Sequence, residues 1–366
     1  MIKIKSPGRI CLFGEHQDYL GYPIISLAIS KYIYLEAKRI TEPKFIVSFL
    51  DTHENIEIIL NQKELEYQSK RDYIKSAYNL FLRKGIKFQK GYEVSIKGDI
   101  PINAGVASSS ALVIGWLYFL DHITNHTLNR SQLALEGYNA EVKEFQEAGG
   151  MMDHFTSVYG NLIFLKPEEP KPQLKTYDIN LDGFVLGNSM EKKATVADLV
   201  RTKFSSLKAF EILSSIFPKF NPFITKLEDI QLYLNSLKEE YKKKIIGNLR
   251  NRDITTRAFS LINEYYLNKN KDNSIQLIDF YTQLGNLLNL HHQNLRDFIQ
   301  VSTNKIDKMI SASLKAGALG GKINGSGFGG TMFALSLKHK DALKSAIEKV
   351  GGKADILKTS NGVEIY

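Results

Sequence analysis

A glycine-rich segment near the end of the chain places the tightest constraint on how the sequence can fold. Residues 320–330 read GGKINGSGFGG, and three of these glycines have the spacing Gly-x-Gly-x-x-Gly. A dinucleotide-binding turn with this spacing follows a strand and opens a helix. Here a helical pattern over residues 304–316 precedes the glycines, and an apolar strand pattern over residues 331–337 follows them. That order excludes a Rossmann-type turn and predicts a flexible loop whose backbone can approach a ligand.

A second segment, residues 101–111, joins a glycine turn to the start of a helix. It reads PINAGVASSSA, and a strongly apolar pattern continues over residues 108–120. The serine run predicts a capped helix N-terminus. The N–H groups and the dipole at such an end also favour a phosphate group. The residues by themselves leave both interpretations open, a plain serine cap and a phosphate site.

A third segment, residues 6–21, concentrates charged side chains among glycines. It reads SPGRICLFGEHQDYLG and contains Arg9, Glu15, His16 and Asp18. Carboxylates accept hydrogen bonds from vicinal hydroxyls, which is what recognition of a sugar requires. A guanidinium stabilises charge on a phosphoryl group in transfer. A hairpin turn with surface charges is the alternative that the spacing alone leaves open.

Two carboxylates stand near a glycine pair in the middle of the sequence. Asp153 follows Gly149 and Gly150, and Glu141 lies on a helix predicted over residues 131–147. Asp153 can act as a general base or organise charge, and Glu141 can reach a metal ion. An ordinary surface carboxylate is the alternative for each of them.

The remaining patterns predict an α/β chain, with strands mostly in the first half and helices mostly in the second. Runs rich in Ile, Val, Tyr and Phe predict strands over residues 24–39, 44–50, 55–60, 91–100, 161–166 and 183–189. Helical periodicity predicts helices over residues 71–84, 108–120, 131–147, much of 197–317, and 340–350. A Pro-rich break at residues 166–172 predicts a domain boundary between about 167 and 190, which gives domains of 1–180 and 181–366.

Length, charge and cysteine content limit the classes of protein that remain. With 366 residues, the chain exceeds what one compact core usually holds, which favours two domains. The net charge of +9 comes with scattered lysines, so we expect a solvated basic face and no nucleic-acid partner. The single cysteine, Cys11, excludes an internal disulfide and fits a reducing compartment. No apolar run reaches the roughly 20 residues that a membrane span needs, so we expect a cytoplasmic protein without membrane contact.

Taken together and in order, these segments resemble the GHMP kinases, named for galactokinase, homoserine kinase, mevalonate kinase and phosphomevalonate kinase. Residues 6–21 are similar to the galactokinase signature, a Pro-Gly-Arg turn followed by Gly-Glu-His-x-Asp-Tyr. Residues 101–109 resemble the phosphate loop Pro-x-x-x-Gly-Leu-x-Ser-Ser, with Val106 in place of Leu. Residues 320–330 resemble the C-terminal glycine-rich motif, and residues 292–302 look like a further galactokinase segment.

The resemblance implies a two-domain α/β (α+β) kinase with ATP in a cleft between the domains. The N-terminal domain would be similar to the second domain of ribosomal protein S5, and the C-terminal domain would be ferredoxin-like with added helices. The implied reaction transfers phosphate from Mg²⁺-ATP to a sugar hydroxyl, as in a galactokinase-like sugar 1-kinase. The implied protein is a monomer whose ligands are ATP, Mg²⁺ and a small sugar-like substrate.

The resemblance also implies roles for individual residues. Asp153 would act as general base on the sugar hydroxyl or orient it, and Arg9 would offset charge as the phosphate moves. Glu141 lies twelve residues before Asp153, as the metal ligand does in the family. The sugar hydroxyls would be held by Glu15, His16 and Asp18. Mg²⁺ would be held by Ser109 and Glu141, and ATP by Gly105, Ala107, Ser108, Ser109, Ser110, Gly325 and Gly327.

Three departures from the galactokinase pattern leave the acceptor open. Gln17 stands where galactokinases usually have Thr, Leu20 where they have Asn, and residues 195–203 lack the Tyr of their Tyr-Asn-x-Arg-Arg segment. A uronic acid, a heptose derivative and mevalonate are alternative substrates, and a non-catalytic sugar-sensing relative is the alternative to an enzyme. Asp18 argues against the mevalonate branch, which usually lacks an acidic residue there. The intact catalytic and metal residues argue against a sensor.

Overall fold

Two β-sheets and the helices packed on them make up the described part of the chain, which confirms the α/β class expected from the sequence. The structure is a computed structural model that describes residues 1–168, 171–191, 195–268 and 274–366. Residues 169–170 of the predicted Pro-rich break and residues 269–273 of the predicted helical region lie outside the described residues. Within these ranges, no helix is long and apolar enough for a membrane crossing.

The first sheet takes up most of the N-terminal half. Its strands there are β1 (Ile2–Phe13), β2 (Ile24–Ile40), β3 (Lys44–Phe49), β4 (Glu54–Ile59), β5 (Gly91–Gly98), β6 (Leu162–Lys166) and β7 (Gln173–Tyr177). They lie in the order β1-β2-β5-β3-β4, and β6 pairs with both β2 and β7. Among these pairs β3 and β5 run parallel and the others antiparallel. Strand β7 was not predicted, because its short polar sequence follows the prolines directly.

Strand β1 runs straight through the Pro-Gly-Arg residues that the sequence suggests as a turn. It pairs with β2 along its length, with register shifts between Pro7 and Arg9 and between Cys11 and Phe13. Bulges of this kind bend a strand and re-aim its side chains. The expectation of a turn at Pro-Gly-Arg is therefore wrong. The turn lies in residues 14–23, which connect β1 to the antiparallel β2, and Arg9 is presented by a strand beside a bulge.

Four helices cover one face of the first sheet. They are α1 (Tyr73–Arg83), α2 (Ser108–Thr124), α3 (Arg130–Tyr138) and α4 (Met152–Tyr159). Helix α2 is the most apolar, and its Trp116 lies fully buried against the sheet. The helix predicted over residues 131–147 is shorter than expected, because α3 passes into a π-helical turn at Asn139–Lys143.

The second sheet and six helices form most of the C-terminal half. Its strands are β8 (Phe184–Asn188), β9 (Gly320–Asn324), β10 (Thr331–Leu335) and β11 (Lys353–Ile356), and they lie in the order β11-β8-β10-β9. The last strand, β12 (Glu364–Ile365), returns to pair with β1. The helices are α5 (Thr195–Ile216), α6 (Leu227–Leu234), α7 (Glu239–Asn268), α8 (Ser274–Asn294), α9 (Asn304–Lys315) and α10 (Lys340–Lys349).

The glycine-rich segment is a strand followed by a hairpin connection, not one continuous loop. Its first half forms β9, and residues 325–330 connect β9 to the antiparallel β10. The expectation of a loop over residues 320–330 is therefore wrong for its first five residues. The exclusion of a Rossmann turn is unaffected, because a strand and not a helix follows the glycines.

One apolar cluster joins the two sheets. Phe13 from β1, Ile254 from α7 and Phe333 from β10 are among its buried members. A shared core holds the end of β1 against the β9–β10 hairpin. The three glycine-containing segments of the sequence consequently meet at one cleft.

Candidate active site

The Arg9 guanidinium forms a two-pronged ion pair with the Asp153 carboxylate. Its Nε and Nη2 atoms donate to the two Asp153 oxygens over 2.7 and 2.8 Å. Asp153 stands in the first turn of α4, so a helix and a strand hold the two partners. Burial alone would lower the pKa of Arg9, but the charges of Asp153 and Glu15 raise it. The cleft therefore contains a fixed positive charge bound to a fixed carboxylate.

The loop before α2 has a strained backbone and lacks the predicted serine cap. Ala107 is the N-cap residue and has a left-handed backbone with a φ of 64°, and its side chain cannot cap the helix. Such a conformation costs roughly 1–2 kcal/mol for a residue with a Cβ, and strain of this kind concentrates at functional sites. The serine run lies inside the first turn of α2 instead of at its cap. The interpretation as a plain serine cap is therefore wrong.

Glu141 lies in the π-helical turn and faces the start of α2. Its Oε2 accepts a hydrogen bond from Nε2 of His154 over 2.7 Å, and the hydroxyls of Ser109 and Ser110 also bond to it. Burial alone would raise the pKa of Glu141, but the His154 and serine bonds lower it. A charged carboxylate thus stands beside serine hydroxyls, which are oxygen ligands of the type that Mg²⁺ prefers.

Both carboxylate oxygens of Glu15 accept hydrogen bonds from β9 and the loop that follows it. Nζ of Lys322, a fully buried residue of β9, donates to Oε2 over 2.6 Å, and the backbone N–H of Gly325 donates to Oε1 over 2.8 Å. The same Nζ donates to the carbonyl of Cys11 over 2.8 Å. The Glu15 side chain therefore joins the first glycine-containing segment to the last one. Lys322 was not predicted as a site residue, although it lies inside the glycine-rich segment.

His16 and Asp18 complete this side of the cleft. Nε2 of His16 donates to the Ser326 carbonyl over 3.1 Å, which leaves Nδ1 to accept from the Tyr19 hydroxyl over 3.0 Å. Burial and the nearby charge of Asp153 raise the pKa of Asp18 to about 6. Asp18 and Asp153 are therefore two carboxyl groups that share one region of the cleft.

Gln17 and Leu20, which depart from the galactokinase pattern, point away from this cleft. Gln17 is fully buried, and its amide donates to the Asn248 carbonyl in α7 over 2.8 Å. Leu20 packs against the apolar cluster formed by α5, α6 and α7. These two residues shape the contact with the helices of the C-terminal half, and neither lines the cleft.

Nearly all residues singled out from the sequence line one cleft. The lining includes Arg9, Glu15, His16, Asp18, Gly105, Ala107, Ser108, Ser109, Ser110, Glu141, Asp153 and Gly325. Gly327 lies outside this lining and packs against Val301. Residues that the sequence did not indicate also line it, among them Arg71, Asn103, Glu147 and His154. Leu199 lines it as well, from the segment in which the sequence lacks the expected Tyr.

An apolar groove continues from the cleft along the first sheet. It shares Arg71, Asn103, Ser108 and Ser109 with the cleft, so the start of α2 lies where the two meet. Its apolar lining comprises Ile33, Phe49, Ile56, Ile74, Ile96, Ile100, Ile102 and Leu112. The apolar groove, the start of α2 and the acidic cleft therefore follow one another in space.

Three known families match parts of the sequence, and together the matches span more than half of it. The GHMP kinases N terminal domain matches residues 72–161, the GHMP kinases C terminal domain residues 277–355, and the galactokinase galactose-binding signature residues 2–39. A phosphotransferase acting on small molecules is the class that this fold and these matches define. The chain belongs to the GHMP kinases, which confirms the two-domain GHMP kinase fold that the motifs predict.

Relatives of two kinds cover almost the whole chain. A mevalonate kinase of Pyrococcus furiosus is 26% identical over 363 residues, 97% of this chain and 95% of its own length. A galactokinase of Thermotoga maritima is 28% identical over 350 residues, 92% of this chain and 90% of its own. The crystal structure of Lactococcus lactis galactokinase complexed with galactose superposes with a TM-score of 0.84 at 22% identity, covering 100% of this chain and 95% of that one. Both kinds of relative have similar sequence identity to this chain. The choice between a sugar and mevalonate as the phosphate acceptor therefore has to be argued from the chemistry of the cleft.

Proposed function

We propose that this kinase transfers the γ-phosphate of ATP to a hydroxyl of a neutral sugar, as a galactokinase-like sugar 1-kinase. The observation that carries the proposal is the acidic acceptor side of the cleft, where Glu15 and Asp18 stand beside His16. The match to the galactose-binding signature over residues 2–39 supports it. The division at residues 180 and 181, the monomeric state and the cytoplasmic location remain predictions from the sequence.

The acidic acceptor side discriminates between the candidate substrates. A neutral sugar brings hydroxyl donors, which carboxylates accept readily. Mevalonate and uronic acids bring a carboxylate of their own, which the charges of Asp18 and Asp153 repel in a partly buried site. Arg9 offers little compensation, because two of its nitrogens are already bound to Asp153. A neutral acceptor therefore fits best, whether a hexose, a pentose or a heptose derivative.

ATP is proposed to lie across the junction of the groove and the cleft. The apolar groove suits the flat face of a purine, and the start of α2 suits its phosphates because of the N–H groups and the dipole there. Gly105, Ala107 and Ser108–Ser110 would then contact phosphate oxygens. Gly325 packs against Gly105 in the loop before α2. Gly327 packs against Val301 and so supports the β9–β10 connection.

Ser109 and Glu141 fit the Mg²⁺ ion that accompanies ATP in this family. Both present oxygen, and Glu141 is kept negatively charged by His154 and the serines. Mg²⁺ is usually held by one or two carboxylates together with substrate phosphates, so a larger set of protein ligands is not needed. The ion would supply charge neutralisation at the phosphates. His154 would hold the Glu141 carboxylate in place from behind.

The ion pair between Asp153 and Arg9 favours a role for Asp153 in orienting the acceptor hydroxyl. It disfavours a role as the base that takes up the proton of that hydroxyl. Both carboxylate oxygens already accept bonds from Arg9, and a proton placed there would weaken that pair. The carboxylate keeps further lone pairs that can accept the acceptor O–H and point its oxygen at the phosphate. Phosphoryl transfer depends mainly on such positioning and on charge stabilisation, which the Arg9 guanidinium supplies.

A substrate panel tests the proposal. Purified protein with Mg-ATP is given neutral hexoses, pentoses and heptoses, uronic acids and mevalonate, and ADP release is measured. We expect a neutral sugar to have the highest kcat/KM, and ³¹P NMR of its product to show phosphate at the anomeric position. A higher kcat/KM for mevalonate, or no turnover of any sugar, would contradict the proposal.

A further inference from the structure

Two buried side chains of the second sheet reach the loop in front of α2. Asn324 ends β9 and Thr331 begins β10, and the two residues face each other as a cross-strand pair. Both are fully buried and neither lines the cleft. Nδ2 of Asn324 and the hydroxyl of Thr331 are directed at residues 104–107, which are named the phosphate loop.

Asn324 connects the phosphate loop to β1. Its Nδ2 donates to the Gly105 carbonyl over 2.8 Å, and its Oδ1 accepts the backbone N–H of Cys11 over 2.8 Å. Nη1 of Arg9 donates to the same Gly105 carbonyl over 2.6 Å. One carbonyl of the loop is thus fixed jointly by the arginine of the ion pair and by an amide of the second sheet.

The neighbouring carbonyls are fixed as well. The Thr331 hydroxyl donates to the Ala104 carbonyl over 2.9 Å, and the backbone N–H of Arg9 donates to the Val106 carbonyl over 3.2 Å. Three successive carbonyls, those of residues 104, 105 and 106, therefore have partners. In a planar trans peptide the C=O and the following N–H point in opposite directions. Fixing these carbonyls consequently fixes the N–H groups of residues 105, 106 and 107.

Close packing holds the loop from two sides. A Cβ placed on Gly325 would lie 2.6 Å from the Gly105 carbonyl oxygen, and one on Gly8 would lie 2.6 Å from that of Val106. Both separations are too short for any side chain, so only glycine permits this approach. The loop is therefore enclosed by β1 on one side and by the β9–β10 connection on the other.

We infer that Asn324 and Thr331 are positioning residues that orient the N–H groups of the phosphate loop toward bound nucleotide. The inference rests on the proposed function, since it concerns the phosphates of ATP. It adds that the phosphate loop is not complete within the N-terminal half, because two side chains of the second sheet set its backbone. Donors that are already oriented lose less freedom when the ligand binds, which favours affinity.

The test is T331V, which keeps the shape of the side chain and removes its donor. Isothermal titration of the full chain without sugar measures binding of Mg-ADP and, separately, of adenosine, which has no phosphate. We expect the dissociation constant of Mg-ADP to rise about tenfold, because the loop must then be ordered when the nucleotide binds, and that of adenosine to stay unchanged. T331S keeps the hydroxyl and is expected to retain wild-type binding of Mg-ADP.

T255V is the matched control. Thr255 is equally buried, and its hydroxyl donates to the Asn251 carbonyl inside α7 over 2.8 Å. The control is expected to lower Tm as T331V does, without weakening Mg-ADP. Unchanged Mg-ADP binding in T331V, or an equal loss for adenosine, overturns the inference. If the wild-type protein binds neither ligand, the proposed function fails instead.

A second variant covers the case in which T331V does not accumulate as folded protein. T331A removes the same donor and adds no apolar contact, so it is titrated with the same two ligands. Selective loss of Mg-ADP binding again supports the inference. Equal effects on Mg-ADP and adenosine, or none on either, overturn it.

Discussion

The two sides of the cleft are held in place by different parts of the molecule. The side proposed for phosphate transfer, called the transfer side, consists of Arg9, Asp153, Glu141 and the phosphate loop, and its charged side chains bond to partners in the N-terminal half. The side proposed for the acceptor, called the acceptor side, consists of Glu15, His16 and Asp18. Of these, Glu15 and His16 bond to β9 and to the loop that follows it.

This difference indicates how one scaffold can serve several acceptors. The transfer side needs only phosphate, metal and one oriented hydroxyl, and its charged side chains are held by strands and helices of the N-terminal half. The acceptor side depends on the C-terminal half, whose added helices supply Leu199 to the cleft and Asn248 to Gln17. Changes in those helices can therefore alter the acceptor without disturbing the transfer of phosphate.

Removal of the charge on Asp153 should break the transfer side and leave nucleotide binding intact. D153N cannot accept both Arg9 donors and cannot orient the acceptor hydroxyl in the same way. We expect kcat on the best sugar of the panel to fall by about 10²-fold or more, the loss that follows when a reacting hydroxyl is misplaced by a small distance. Initial rates and titration with Mg-ADP measure the two effects separately.

D253N is the matched control for this variant. Asp253 also pairs with an arginine, accepting one hydrogen bond from Arg252 Nε over 2.8 Å, but it lies on α7 and outside the cleft lining. Its kcat should equal that of the wild type. Substantial activity in D153N, within a few fold of D253N, would remove Asp153 from the transfer side.

Breaking the Lys322–Glu15 pair should instead detach the acceptor side from the second sheet. K322M leaves the Glu15 carboxylate buried with half of its partners, and losing one member of a buried pair costs about 3–5 kcal/mol. The double variant E15Q/K322M removes the stranded charge and should recover part of that loss. Unfolding in guanidinium chloride, followed by circular dichroism, gives the free energies.

An exposed pair provides the reference for this measurement. Lys44 and Glu57 form a surface ion pair, so K44M should cost about 0–1 kcal/mol. Equal losses for K322M and K44M would mean that the buried pair does not join the two halves. A loss in E15Q/K322M equal to the sum of the losses in the single variants E15Q and K322M would show no coupling between Glu15 and Lys322.

The residues assigned to the transfer side could be picked out from the sequence almost one by one, and the structure brings them together in one cleft. Arg9, Ser109, Glu141 and Asp153 lie in short segments with local signals, namely glycines, a serine run and a fixed spacing. What the sequence could not indicate is the backbone conformation at each position. The serine run predicts a serine at the N-cap of α2, whereas Ala107 occupies the N-cap with a positive φ.

The acceptor side was predicted less completely, because its geometry depends on contacts between distant parts of the chain. Lys322 and Gln17 are polar residues without any local signal of burial, yet both are fully buried. Lys322 lies 307 positions from its partner Glu15 in the sequence. Helices α5 to α7 set the surroundings of Gln17. Their sequences predict helices but not the strand or turn against which these helices pack.

The smallest effect on stability is expected at Asp18, because the negative charge of this partly buried carboxylate destabilises the folded protein. Burial and the charge of Asp153 raise its pKa to about 6, above the ordinary value near 4. The folded state therefore favours protonated Asp18, and its ionisation destabilises the fold progressively as pH rises from about 4 to about 6. D18N should accordingly raise Tm by a few degrees above pH 6, by less between pH 4 and 6, and not at all below pH 4.

D18N should bind the acceptor more weakly than the wild type, although its Tm is higher. The cost of Asp18 to folding is thereby linked to its role in binding. The wild-type KM for the sugar should rise as pH falls below about 6, because protonated Asp18 accepts fewer hydroxyl bonds, and D18N should lack this dependence. D341N, an exposed Asp in the first turn of α10, is the control and should leave Tm unchanged or slightly lower at neutral pH. A Tm gain in D18N that is the same at pH 4 and pH 8 would show that crowding, and not charge, strains the acceptor side. A gain confined to high pH, with a KM that no longer depends on pH, would mean that the acceptor side keeps an unfavourable charge because the substrate needs it.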